Sequence, residues 1–195
     1  MRGDQELVQI VDRAMAEAVR KSGSWLLCRP GCHECCIGPF PITQLDAARL
    51  REGLTELHGR DPQRAARVRG RAQSAVDRIR REFPVAPVQT VLEVDEAAGD
   101  ELCPALDPAT GTCDLYTARP ITCRTFGPAA RLRSESLGIC ELCYRGATDE
   151  QIAACQVVVD PDGLESELIS QLERTADARG ETVVAFALAG QSICT

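Results

Sequence analysis

The chain reads as a mainly α protein, a single small helical domain over residues 1–195 with irregular loops and one short β-hairpin. Three observations predict this. Apolar residues recur at three- and four-residue steps near both ends of the chain. Capping residues stand where those periods begin. A turn-forming run, Asp107-Pro108-Ala109-Thr110-Gly111, separates two short stretches in the middle. A length of 195 residues at 44% apolar content is enough for one buried core, or a core with a modest appendage.

The elements follow in order. Leu7, Ile10, Val11, Ala14 and Ala18 lie behind Asp4, an N-cap, and predict a helix to about Lys21 that Ser22-Gly23 stops. A second helix has Thr43 as cap, Asp46 in its first turn, and Leu50, Leu54 and Leu57 on one face, ending at His58-Gly59. Asp61-Pro62 opens a third, with Ala65, Val68, Ala72, Val76, Ile79 and Phe83 as its buried stripe up to Pro84. Arg64, Arg67, Arg71 and Arg78 occupy its other face, read as solvated and partly paired with Asp77 and Glu82.

Residues 84–102 lack a clean period. The turn at 107–111 then predicts a hairpin that brings Cys103 and Cys113 together, and Arg119-Pro120 leads into a short helical turn presenting Cys123. Thr148 and Gln151 form a capping box. Asp160-Pro161 starts a helix bearing Leu164, Leu168 and Leu172, which Gly180 ends, and the apolar run from Val183 to Leu188 reads as one strand.

Charge and composition exclude several classes. Twenty-two basic against 29 acidic residues leave a net charge of −7, which argues against an extended nucleic-acid footprint. No run approaches the length of a membrane span. Asp4, Glu6, Asp12, Arg13 and Glu17 interrupt every apolar stretch of residues 1–22, so no signal-peptide core is expected and the cytoplasm is the expected compartment.

The chemistry lies in the cysteines. Eleven occur in the chain. Four, Cys28, Cys32, Cys35 and Cys36, fall in one C-x3-C-x2-C-C run, followed by Cys103, Cys113, Cys123, Cys140 and Cys143. In a reducing compartment such a pattern points to metal rather than disulfides, and the odd count agrees. Thiolate sulfur suits zinc and iron-sulfur centres, whereas calcium and magnesium want oxygen.

Cys32-x2-Cys35 and Cys140-x2-Cys143 can each point two thiols at one ion from a tight turn. Neighbouring Cys35 and Cys36 diverge, so one of them belongs more naturally to a second centre. Eight thiolates would make two four-sulfur sites, which leaves Cys140 or Cys28 as a spare or bridging ligand. Cys155 on a helix and Cys194 near the end read as idle thiols. Four thiolates leave a net negative site that needs cations nearby, and Arg29, Arg119 and Arg124 lie beside the thiols. His33, inside the tight loop, is expected to point outward.

These residues resemble a known family. The run Cys28-Arg29-Pro30-Gly31-Cys32-His33-Glu34-Cys35-Cys36, then Cys103-Pro104-Ala105-Leu106-Asp107, then the Cys113 to Phe126 stretch with its Tyr-x-x-Arg-Pro-x-x-Cys-Arg-x-Phe pattern, is similar to the bacterial CxxCxxCC cysteine-cluster family. The resemblance covers about residues 28–143, flanked by helical N- and C-terminal extensions. It implies chelation of zinc or iron through the matching Cys32, Cys35, Cys36, Cys103, Cys113 and Cys123, with Cys140 and Cys143 completing the set. The first gap holds three residues where the family name has two, which makes Cys28 the weakest match.

Three functional classes follow. The leading one is a non-enzymatic metal-binding protein whose loops are pinned by metal, the centre being structural or a store or sensor of metal or redox state. The second is a methyltransferase, since flagellin lysine N-methylases look like longer relatives sharing the cluster, but no Gly-rich loop for an adenosyl cofactor is present. The third is a radical SAM-type enzyme, suggested by the Cys28-x3-Cys32-x2-Cys35 spacing. The βα alternation of its barrel is absent. Scattered single thiols at 103, 113 and 123 joining a dense run favour an iron-sulfur cluster, of the 4Fe-4S kind, over zinc, which prefers paired ligands. The expected partners are metal ions, with no membrane and no nucleic acid; the sequence does not indicate a protein partner.

Overall fold

Asp61 ends one helix and starts the next. Its backbone N–H donates to the Leu57 carbonyl at 2.7 Å, while its carboxylate accepts from the Arg64 N–H at 2.9 Å, with Pro62 at the first helical position. This hinge joins Gln44–Arg60 (α2) to Pro62–Glu82 (α3), both where the periodicity predicts them. The computed structural model describes residues 2–29, 31–83, 101–175 and 179–190. Within them the chain is mainly α, with seven α-helices and a few two- or three-residue strands. It divides into two compact units, residues 1–29 with 121–177 and residues 30–120 with 178–195.

In the second of these units, α2 and α3 pack on each other and on a short helix, Val184–Leu188 (α7). Ile42, Leu50, Leu54, Val68, Ala72, Val184 and Leu188 form their shared core, each at most 6% exposed. Burying one such Leu or Val is worth about 1.5–3 kcal/mol. The cap of α2 is the predicted one, Thr43 Oγ1 accepting from the Asp46 N–H at 3.1 Å. Two strand pairs complete the unit. Ile42–Thr43 (β1) lies antiparallel to Glu181–Thr182 (β7), and Leu106–Asp107 (β2) pairs with Thr112–Cys113 (β3) in the predicted hairpin.

The run from Val183 is not a strand. After Thr182 the chain leaves the β1 ladder and winds into α7, all five of whose residues are buried. A short apolar run carries no period when every side is covered, so strand and buried helix look alike in sequence. Contact with α2 and α3 on two sides decides it.

In the first unit, Arg2–Ser22 (α1) is the axis, burying Leu7, Val11, Met15 and Ala18. It packs on Ile121–Thr125 (α4), Asp149–Cys155 (α5), Leu164–Thr175 (α6) and the strand Val157–Val159 (β6). That strand runs parallel to Ala130–Leu132 (β4), which also pairs antiparallel with Glu135–Ser136 (β5), a small sheet without a sequence signal. The capping box at Thr148 and Gln151 is present in full. Helix α6 begins later than Asp160-Pro161 suggests. Asp160 adopts φ 47° and its two carboxylate oxygens cap the N–H groups of Leu164 and Glu165, both at 2.9 Å, across the Pro161–Gly163 turn. Most of the stretch without a clear period, residues 84–100, lies outside the described residues, as does Cys194.

Candidate metal centre

No disulfide joins any two of the ten described cysteines. Of the nine nominated from sequence, Cys32, Cys35, Cys36, Cys103 and Cys113 belong to the second unit, and Cys28, Cys123, Cys140 and Cys143 to the first.

Four of the second unit's five lie on or beside two short ladders. His33 is followed by a 3-10 turn, Glu34–Cys36, closed by Cys36 N–H donating to the His33 carbonyl at 2.8 Å. The chain then extends beside residues 101–103. The Cys103 N–H donates to the Cys36 carbonyl and the Gly38 N–H to the Glu101 carbonyl, both at 2.7 Å, with Ile37 facing Leu102 between them. Side chains alternate across extended backbone, so Ile37 and Leu102 share one face and Cys36 and Cys103 the other. The exposure of Ile37 and Leu102, 36% and 40%, marks the outer face. Cys103 and Cys113 pack against the helical core. The hairpin sets Cys113 opposite Leu106, and Asp114 N–H donates to the Ala105 carbonyl at 2.7 Å.

These four thiols feel one another electrically. Cys35 is drawn down to about 6, first by the hydrogen bond from the Cys36 thiol, with the Arg119 guanidinium helping. Cys36 is pushed up by the same hydrogen bond, then by burial and by Cys35, Cys103 and Cys113. Burial pushes Cys103 up to about 12, with Cys113 and Cys35 adding to it. Cys113 also moves up through burial, with Asp114 adding and Arg119 opposing. The pair at 35 and 36 thus shares one proton, and burial keeps Cys103 and Cys113 neutral. A dication among such thiols reverses that preference, because a coordinating thiol is deprotonated.

Cys32 stands at the other end of the hairpin. The Gly31–His33 loop lies against Gly111, where a side chain would come within 3.2 Å of the Gly31 carbonyl, and Gly111 itself has φ 65°. His33 Nδ1 lies 3.2 Å from the Gly31 oxygen, which occupies that ring nitrogen within its own loop.

The cation expected near the thiols is Arg119. Its guanidinium lies 3.8 Å over the Tyr116 ring, donates to the Tyr116 carbonyl at 3.3 Å, and lowers both Cys35 and Cys113. Gly53 on α2 makes room for this arrangement. A Cβ there would sit 2.3 Å from the Ala118 Cβ, in the 3-10 turn Tyr116–Ala118 that precedes Arg119. Arg124 has another task. Its buried guanidinium holds both oxygens of Asp12 at 2.7 and 2.9 Å, fastening α4 to α1.

In the first unit the thiols are more loosely related. Cys140 and Cys143 are buried in a tight turn, Cys143 N–H donating to the Cys140 carbonyl at 2.8 Å. Burial and then the neighbouring Cys143 shift Cys140 upward. Tyr144 locks this turn to α1, its hydroxyl bonding Ser22 Oγ at 2.5 Å and accepting from the Ala129 N–H at 2.8 Å. Cys28 is exposed beside Gly127, where a side chain would come within 3.2 Å of its sulfur, and Gly127 bridges Ile139, the residue before Cys140. Cys123 lies on α4, half-buried. Cys155, read as idle, is buried at the end of α5 and donates to the Lys21 carbonyl at 3.5 Å.

The arginine face of α3 is not simply solvated. Arg64 pairs with Asp114, Arg71 reaches Asp114 at 2.5 Å and the Pro104 carbonyl at 2.9 Å, and Arg78 pairs with Glu101. Asp77, expected to pair with an arginine, accepts from the Gln73 side-chain amide at 2.8 Å. The heptad spacing of 64, 71 and 78 puts these three arginines on one side of the helix, a signal present in the sequence. What it faces is visible only once the segment carrying Cys103 and Cys113 is laid along it.

Among the described residues, no group of three or more Cys, His, Asp or Glu side chains already stands in metal-coordinating positions. The four thiols are neighbours rather than a closed cage. Their chemistry fits zinc or iron: soft donors, two of them packed on the core, and a guanidinium at hand. No helix among the described residues is long and apolar enough to cross a membrane.

A family model, CxxCxxCC, described as a putative zinc- or iron-chelating domain, matches residues 27–156. No curated protein and no solved structure gives a significant match. Matched over more than half its length, with every nominated thiol inside the matched span, the chain belongs to the CxxCxxCC family.

Proposed function

We propose that this chain is a metal-binding protein that holds an iron-sulfur cluster, or zinc, through about eight thiolates drawn from Cys28, Cys32, Cys35, Cys36, Cys103, Cys113, Cys123, Cys140 and Cys143. The observation that supports the reading is that thiols up to 78 positions apart lie together in the second unit: the Cys36 and Cys103 backbones hydrogen-bond each other, and the hairpin carries Cys113 close enough to both for its charge to be felt. Cys32 is the fifth thiol of that unit. Cys28, Cys123, Cys140 and Cys143 supply a second set in the first unit. Binding is the activity, and the centre serves as a structural pin or as a store or sensor of metal or redox state in the cytoplasm.

Iron-sulfur is preferred over zinc because the second unit's thiols come from two well-separated segments rather than from two paired knuckles. In either case Arg119 partly neutralises the thiolate charge. Anaerobic purification followed by an absorption spectrum and analysis of metal and sulfide tests the proposal. Brown protein with labile sulfide is the expected result, colourless protein with stoichiometric zinc replaces the cluster by zinc, and protein that takes up neither overturns the reading.

A further inference from the structure

We infer that Asp114, held between Arg64 and Arg71, is a positioning residue for the second unit's thiols, so that metal affinity is set partly on α3. The inference rests on the metal-binding reading above. Asp114 follows Cys113 directly, and its carboxylate is 1% exposed. One oxygen takes the Arg64 Nε and the other the Arg71 Nη2, a two-armed clamp. Arg71 also donates from Nε to the Pro104 carbonyl, next to Cys103, so one guanidinium grips both strands' thiol-bearing ends. Arg78 adds a third point through Glu101, two residues before Cys103.

Beyond the turn at 107–111, the hairpin has two paired positions on each strand, too few to hold a geometry by themselves. Fastening from α3 supplies the missing order. Because α3 is itself packed in the core, Cys103 and Cys113 are held before any ion arrives, which lowers the entropic cost of closing them on it. Coupling is reciprocal: whatever α3 contributes to metal affinity, bound metal returns as stability of α3 against local opening.

The test uses the full chain and Co2+ as probe, whose thiolate charge-transfer band reports ligand type and number. Asp114→Asn and the double variant Arg64→Gln/Arg71→Gln should keep their helical content yet bind Co2+ roughly 10- to 100-fold more weakly, the usual effect of removing a group that orients ligands. The charge-transfer intensity per Co2+ should fall. Arg71→Lys, which keeps the charge but loses the fork, should give an intermediate affinity. Arg67→Ala, exposed on the same helix, should bind as the unaltered chain does.

Hydrogen exchange on the unaltered protein keeps the inference testable if the variants do not fold: metal should slow exchange along α3 as well as along the thiol segments. Unchanged Co2+ affinity and band in the folded Asp114 and arginine variants would overturn the positioning role while leaving metal binding intact. Equal exchange in α3 with and without metal would also overturn it. An unaltered chain that takes up neither Co2+, zinc nor iron would remove the metal-binding reading, and this inference with it.

Discussion

The two units solve the same problem, placing thiols, with different means. In the second, Cys36 and Cys103 face the same way from two extended segments that hydrogen-bond each other, and Cys35 and Cys113 are close enough to shift them. The geometry is long-range and backbone-driven. In the first, Cys140 and Cys143 are placed by a four-residue turn and buried in an apolar cluster with Tyr144 and Cys155, while Cys28 is exposed on a neighbouring segment. Their packing is local and hydrophobic. Thiols ordered by burial remain ordered without an ion; in the second unit Cys103 and Cys113 share that support from the core and α3, whereas the Cys35–Cys36 segment rests on a short two-bond ladder.

Removing metal therefore separates the units most sharply. Stripping zinc or iron with a chelator should cost on the order of 10 kcal/mol per site. Hydrogen exchange should accelerate first at residues 31–43 and 101–119, with α1 and the Tyr144 turn protected longer. A chelated protein with unchanged thermal unfolding would contradict this account of the second unit.

A smaller effect comes from the fit between α2 and the turn before Arg119. Gly53→Ala would press a methyl group into Ala118, costing about 1–3 kcal/mol and moving Arg119 away from Cys35. Denaturant unfolding should register the loss, and metal affinity should weaken in the same variant. Smaller still is Thr148→Ala, which removes the capping box of α5 in the first unit. A loss of about 1 kcal/mol without change in metal content is expected; a fall in metal content would blur the distinction between the units.

Reactivity offers the finest probe. In the metal-free chain at pH 7, Cys35 should alkylate ahead of Cys36, Cys103 and Cys140. It alone is drawn down, to about 6, and is mainly thiolate above that pH, whereas the other three are shifted upward. The rate should fall as pH drops through 6, and mass mapping of the modified peptides checks the order.

Helices, most caps and the hairpin were legible because their causes are local, although α1 begins at Arg2 and takes Asp4 into its first turn instead of being capped by it. Thr43, Asp61 and Thr148 cap the helices they precede, and 107–111 turns the chain where its residues say it should. The apolar run at 183–188 misled because burial on every side erases period, and the β4–β6 pair, parallel and 27 residues apart, has no local signature at all. At the site, the residue types and their charge requirement were legible, but which cation answers it was not. Arg119 and Arg124 look equivalent in sequence, and Asp12, 112 residues from Arg124, helps to distinguish them. Likewise Arg64 and Arg71 look solvated until Asp114 is brought to them from 50 and 43 residues away.

In the proposed reading, Cys103 and Cys113 belong to a metal centre with Cys35 and Cys36. Metal and sulfide content of the anaerobically purified chain, measured beside Cys103→Ser/Cys113→Ser, tests it most directly. The double variant should lose the metal of one whole site while α1 and the first unit stay folded. Equal metal content in the two proteins would contradict it.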